Sequence, residues 1–124
     1  MEHEKITEKI IGCAYKVYNT IGFGFLESVY EKSLLIELRK AGLNVEAQKS
    51  IKVSYDGEIV GDFIADIIVE NKVMIEIKAV EKLIKAHEIQ LVNYLVATGI
   101  SVGLLINFGK TKVEIKRKVR QLTN

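Results

Sequence analysis

The spacing of hydrophobic and polar positions changes several times along the chain, and each change marks a predicted element. Apolar residues recur every three or four positions over 4–20 and again over 26–40, which predicts two amphipathic helices. Gly42 stands where a helix-capping glycine is expected. The side chains expected to face inward from the second helix are Val29, Leu34, Leu35 and Leu38.

Three extended segments follow, at 45–55, 58–70 and 73–80. The first two are joined by Asp-Gly at 56–57, a strong hairpin-turn signal. The short Asn-Lys connection at 71–72 makes the second and third segments hairpin neighbours as well. The pattern therefore predicts a meander of three antiparallel strands.

The last part of the chain predicts a helix over 82–98 and strands over 101–108 and 112–120. The first of these strands is almost wholly apolar, as in a strand buried on both faces. The helical crossover makes it parallel to the strand at 73–80, if both share one sheet. The sequence thus predicts one mixed α/β (α+β) domain over 1–124, with a central mixed sheet of about five strands flanked by helices.

Composition narrows the class of protein. A chain of 124 residues with 48% hydrophobic residues can bury a substantial core. Its single cysteine, Cys13, excludes an internal disulfide and cysteine-rich metal sites, so a reducing, cytoplasmic setting is expected. No apolar run approaches the roughly 20 residues that span a membrane, so no membrane partner is expected.

The charge is unevenly distributed. The net charge is +2, but residues 108–124 contain six basic residues and one acidic residue, which gives +5 there and −3 over the rest. A polyanion partner such as nucleic acid would fit this tail, and so would a solvated edge strand protected by lysines. The six basic residues are Lys110, Lys112, Lys116, Arg117, Lys118 and Arg120.

Charged residues interrupt two of the apolar strands. Glu76 and Lys78 are two positions apart, so both side chains point to the same face of their strand. Asp66 is the only charge within the apolar run of the preceding strand, and the hairpin can bring it close to Glu76.

Two neighbouring carboxylates out of water repel each other and lose solvation. A divalent cation would relieve both penalties, and hard oxygen ligands favour magnesium, manganese or calcium. Lys78 beside them could hold an attacking water or stabilise charge on a phosphate. The alternative is a half-exposed sheet face with an incidental Glu–Lys pair.

Two helices offer further candidates. Gln90 and Tyr94 are four positions apart and are neighbours on the helix that follows Lys78. They could equally be a solvated residue and a core residue. Glu27 lies in the first turn of the second helix, where the helix dipole favours an acid in any case.

The stretches GFLESVY, ADIIVENKVMIEIKAV and QLVNYL together closely resemble the GxxExxY family of the PD-(D/E)XK nuclease superfamily, over about residues 5–120. The resemblance implies a restriction-endonuclease-like fold and metal-dependent cleavage of nucleic acid. We expect DNA as the substrate, and a nuclease directed at RNA is the alternative. Ala65 departs from the pattern, which has proline there, but this position does not touch metal.

The resemblance also assigns roles to individual residues. It implies a Mg²⁺ or Mn²⁺ site made by the following groups: Asp66, Glu76, the backbone carbonyl of Ile77, and Glu27 directly or through water. It implies that Lys78 orients the water, Gln90 positions Lys78 or the phosphate, and Tyr94 supports the site. The rival interpretation is a catalytically silent binding or assembly module with the nuclease fold. A domain this small favours a homodimer or a larger protein partner that supplies specificity.

Overall fold

A computed structural model describes residues 1–120 as three helices and five strands. Residues 121–124, at the end of the predicted domain, lie outside the described residues. The elements are α1 (Glu4–Ile21), α2 (Glu27–Lys40), β1 (Val45–Tyr55), β2 (Glu58–Val69), β3 (Val73–Lys78), α3 (Lys85–Thr98), β4 (Val102–Phe108) and β5 (Val113–Val119). Within the described residues, no helix is long and apolar enough to cross a membrane.

The five strands form one mixed sheet in the order β1-β2-β3-β4-β5. Every neighbouring pair is antiparallel except β3 and β4, which are parallel and joined through α3. This confirms the predicted meander, crossover and fold class. All seven residues of β4 are buried, as its apolar sequence predicts.

Helices cover both faces of the sheet and create two hydrophobic clusters. Buried residues of α1 and α2 pack with Ile75 and Ile77 of β3 on one face, and Leu91 and Leu95 of α3 pack with Met74 on the other. Because side chains alternate along a strand, Glu76 and Lys78 belong to the α3 face. The two clusters thus fix the orientation of the charged residues of β3.

The prediction that Val29 faces inward is wrong. Val29 is exposed, and its neighbour Tyr30 is fully buried instead. The Tyr30 ring stacks on Phe108 with centroids 4.4 Å apart, and its hydroxyl donates to the carbonyl of Gly22 at 2.6 Å. An aromatic residue with a satisfied hydroxyl therefore occupies the inward position that the apolar pattern gave to valine.

Both predicted hairpin turns are present, the second centred on Glu70 and Asn71, one residue earlier than the predicted Asn71-Lys72 turn. Asp56 and Gly57 have φ angles of 52° and 80°, and Glu70 and Asn71 both have φ of 54°. Two consecutive left-handed residues make the tight turn whose twist matches that of paired strands. The second turn brings β3 back beside β2.

Two element boundaries differ from the predicted ones by more than one residue: β3 ends at Lys78 rather than residue 80, and α3 begins at Lys85 rather than 82. The early end of β3 is explained by Asn107, which is fully buried on β4. Its side chain accepts from the N–H of Val80 and donates to the carbonyl of the same residue, both at 2.9 Å. A side chain thus satisfies the backbone of Val80 and holds the loop after β3 against β4.

The strand β2 separates from β3 within the sheet. Only Ile67, Ile68 and Val69 pair with β3, while the first part of β2 pairs with β1 alone. Asp66 directly precedes Ile67 on β2, so it lies where the two strands separate.

Candidate active site

Asp66 and Glu76 come together at this parting of β2 and β3. One carboxylate oxygen of Asp66 accepts a hydrogen bond from the N–H of Ile77 at 2.8 Å. The Glu76 carboxylate in turn accepts from the N–H of Asp66 at 3.5 Å. The two carboxylates thus accept hydrogen bonds from backbone N–H groups at the point where the pairing of β2 with β3 ends.

Glu76 is strongly perturbed by its surroundings. Only 7% of the residue is exposed, and burial, followed by the charge of Asp66, raises the pKa of its carboxyl to about 8. Lys78 opposes this effect but does not cancel it. A buried carboxylate beside a second carboxylate is a site where a divalent cation would relieve both desolvation and repulsion. The residues present therefore fit a hard metal ion.

Lys78 ends β3 on the same face as Glu76 and is half-buried. It pairs in register with Asn107 of the parallel strand β4, the residue that also holds Val80. Among residues 1–120, no carboxylate lies within ion-pairing distance of the Lys78 ammonium. Its charge is therefore available to a ligand beside the acid pair.

The helix α3 lies directly over the sheet because β4 presents a glycine beneath it. A Cβ atom at Gly103 would lie 2.9 Å from a methyl carbon of Leu91, so a larger residue there would force the Leu91 side chain to shift. Tyr94 lies near the acids on this helix. Burial, and next the charges of Glu76 and Asp66, raise the pKa of its hydroxyl. The Tyr94 ring stacks on Phe63 of β2 with centroids 3.6 Å apart.

Gln90 is on the same helix but is exposed. In the part of the chain that the structure describes, its side chain makes no hydrogen bond to Asp66, Glu76 or Lys78. The structure thus brings Tyr94 to the acid pair and leaves Gln90 one helical turn away. Its predicted role stays a prediction.

The helix α2 contributes a second acid that the sequence analysis missed. Glu27 is exposed at the start of α2, whereas Glu31 is half-buried one turn later. Burial, and next the charge of Asp66, raise the pKa of Glu31, whose carboxylate accepts from the Gln48 side chain at 2.6 Å. The four-residue spacing from Glu27 is the signal that could have indicated it.

The acidic side chains of the described residues do not form a complete set of metal ligands. Within residues 1–120, no group of three or more His, Cys, Asp or Glu side chains is close enough together to hold a metal ion. Asp66 and Glu76 are the assembled pair, and Glu27 and Glu31 lie on α2. The carbonyl of Ile77, between Glu76 and Lys78, stays a predicted ligand.

The six basic residues near the end of the chain do not share one surface. The Arg117 guanidinium donates to the carbonyl of Glu2, and that of Arg120 donates to the carbonyl of Gly99. Lys118 forms an ion pair with Glu88 of α3. The remaining three, Lys110, Lys112 and Lys116, are exposed.

Comparisons with known proteins agree with this geometry. Residues 4–118 match the family model of the PD-(D/E)XK nuclease superfamily. The crystal structure of SSO0001 has a similar fold, with a TM-score of 0.63 at 19% sequence identity over 77% of this chain. The matched region is half of that protein's chain. No curated protein matches the chain.

The family match covers almost all of the residues that build the sheet, the helices and the acid pair. The matched range includes Asp66 and the Glu76-Ile77-Lys78 sequence, whose assignment to the aspartate and the E-x-K half of the superfamily pattern stays a prediction. Nucleases of this superfamily generally use divalent metals, and nucleic acid is their substrate. The chain belongs to the PD-(D/E)XK nuclease superfamily.

Proposed function

We propose that this protein is a metal-dependent nuclease of the GxxExxY group that hydrolyses phosphodiester bonds, with DNA the favoured substrate. The observation that carries the proposal is the buried Glu76, held against Asp66 by hydrogen bonds through the backbone and followed by Lys78 on the same face. Burial destabilises the charged form of this acid pair, and a bound divalent cation would stabilise it.

In this proposal, Asp66 and Glu76 hold Mg²⁺ or Mn²⁺, with the carbonyl of Ile77 as a further ligand. When bound, the ion polarises the phosphate and lowers the pKa of a coordinated water. Lys78 orients the attacking water and stabilises negative charge on the phosphate oxygens. Glu27 and Glu31 add negative charge from α2, directly or through water.

The two residues on α3 act around this centre. Tyr94, fixed by its stacking on Phe63, supports the acid pair from the α3 face. Gln90, exposed one helical turn earlier, reaches the phosphate or Lys78 once substrate is bound. Phosphate contacts of the bound strand come from the exposed Lys110, Lys112 and Lys116.

A panel of labelled substrates tests the proposal. The purified protein is incubated with linear, circular and single-stranded DNA and with RNA, in magnesium, manganese or chelator. Cleavage that needs the metal is expected, and Asp66→Asn is expected to abolish it. Asp62→Asn is the matched control, because Asp62 lies four residues earlier on β2, is exposed and pairs only with Lys52.

A second candidate is a catalytically silent nucleic-acid-binding or assembly module that keeps the nuclease fold. The specific observation in its favour is that residues 1–120 contain no ready group of three metal-binding side chains. Calorimetry with Mn²⁺ separates the two functions. Heat of binding that Asp66→Asn loses and Asp62→Asn keeps supports the nuclease, whereas no binding by folded protein supports the silent module.

A further inference from the structure

Two adjoining hollows lie where β3 and β4 end, at the edge of the sheet next to Lys78. Their volumes are about 270 and 500 Å³, and both are lined by Glu81 and Lys110. We call them together the carboxyl-edge groove. Its smaller part is also lined by Phe23, Phe25, Ala79, Val80 and Phe108, and its larger part by Lys82, Thr111, Lys112 and Glu114.

Aromatic contacts fix both walls of the carboxyl-edge groove. Phe25 packs edge-on against Tyr30, which stacks on Phe108, which in turn contacts Tyr18. The Tyr18 hydroxyl donates to the carbonyl of Gly109 at 2.6 Å, so it holds the turn that carries Lys110. The groove is therefore built by packed side chains on both sides.

Two aromatic rings project into water at this groove. Phe23 is 53% exposed and Phe25 is 48% exposed, and both belong to the short connection between α1 and α2. Flat apolar surfaces in water are stacking platforms for nucleic-acid bases, because every base has a π-face. The Phe25 ring is held edge-on against Tyr30, with ring centroids 6.2 Å apart.

The charges beside the rings suit a phosphate backbone. Lys82, Lys110 and Lys112 line the groove, against the two acids Glu81 and Glu114. The Glu114 carboxylate is already engaged, since it accepts from the Asn107 side chain at 3.0 Å. The three lysines therefore outnumber Glu81, the other acid that lines the groove.

On the basis of the proposed nuclease function, we infer that the carboxyl-edge groove binds an unpaired stretch of the substrate strand. Its bases stack on Phe23 and Phe25, and its phosphates contact Lys110 and Lys112. Ala79 and Val80 line the smaller hollow and directly follow Lys78 along the chain, so the groove begins at the end of the strand that carries Glu76 and Lys78. In a duplex the base faces are already covered, so the preferred substrate is single-stranded or has a single-stranded end.

The test is fluorescence anisotropy with labelled single-stranded and duplex oligonucleotides of equal length, in chelator so that no cleavage occurs. Phe23→Ala is expected to weaken single-strand binding roughly tenfold and to leave duplex binding within about twofold. Phe25→Leu keeps an apolar side chain against Tyr30 but removes the ring, and should weaken it similarly. Tyr55→Ala is the matched control, because Tyr55 is an aromatic residue 75% exposed in the β1–β2 hairpin.

The outcomes separate this inference from the proposed function. If Phe23→Ala and Phe25→Leu bind single strands like the folded wild type, or if the wild type binds duplex as tightly as single strands, the groove assignment is overturned. It is also overturned if the wild type binds no oligonucleotide. Loss of single-strand binding in these variants supports it whether or not the wild type cleaves, whereas the proposed function stands or falls on metal-dependent cleavage alone.

Discussion

Glu76 combines deep burial with the nearby negative charge of Asp66, and together they raise its pKa to about 8 from an ordinary value of 4.5. The folded protein therefore holds this proton more tightly than the unfolded chain does. The contribution of Glu76 to stability is present below about pH 4.5 and is lost as the pH rises through about 8. Metal-free protein should thus lose stability across this window.

Glu76→Gln tests this directly, because the amide keeps the shape and the acceptor oxygen but carries no charge. In chelator at pH 8 to 9 the variant should be more stable than the wild type by on the order of 1–3 kcal/mol. At pH 4.5 the two should be nearly equal. Urea unfolding measured across pH gives the difference, and Glu81→Gln, at an exposed acid, is the control. A constant difference at every pH would contradict the account.

Individual site residues show what a sequence can and cannot predict. Asp66 and Glu76 could be recognised as a pair because each is a charge in an apolar strand and one short hairpin joins them. Glu31 was missed because a glutamate on an amphipathic helix is ordinary, and only packing shows that it faces Asp66. The assembled structure, and not the spacing, decides which helical acid approaches the strands.

At the scale of elements, periodicity predicted all three helices and all five strands, because each face of the sheet is covered by a patterned helix. The end of β3 and the start of α3 were harder to predict. The end of β3 depends on Asn107, a residue 27 positions away from Val80 in the chain, whose side chain replaces a backbone partner. Such a contact leaves no local pattern in the sequence.

Asn107→Ala should therefore disturb the loop that follows Lys78. The variant loses hydrogen bonds to both backbone groups of Val80 and to Glu114, and leaves these half-buried groups without that partner. A loss of about 2–3 kcal/mol in unfolding free energy is expected from urea denaturation. Asn93→Ala, at an exposed position of α3, should change stability by less than about 0.5 kcal/mol. Equal effects of the two changes would show that Asn107 does not hold the loop.

At the scale of the whole molecule, charge composition predicted a basic terminal segment but not how the fold would distribute it. Three of the basic side chains already have partners within the protein. Arg117 donates to the carbonyl of Glu2, Lys118 pairs with Glu88, and Arg120 donates to the carbonyl of Gly99. The exposed Lys110 instead lies at the carboxyl-edge groove. Net charge indicates a polyanion partner, whereas the fold determines which cations can meet it.

The salt dependence of nucleic-acid binding should reflect this distribution. Lys110→Gln should reduce the slope of log affinity against log salt concentration by about 0.7–0.9, the value for one phosphate contact. Lys118→Gln should leave the slope almost unchanged, because Glu88 already pairs with this lysine. Anisotropy titrations at several salt concentrations measure both. A larger change for Lys118→Gln would mean that its ion pair opens to bind phosphate.

The most direct test of the account is the metal-dependent cleavage rate of Lys78→Ala. Its matched control is Lys72→Ala, at an exposed lysine in the turn before β3. Because Lys78 is assigned to the attacking water and the phosphate charge, we expect Lys78→Ala to lose cleavage while it keeps the wild-type fold and Mn²⁺ binding. Lys72→Ala should cleave like the wild type. Unchanged cleavage by folded Lys78→Ala would contradict the central claim.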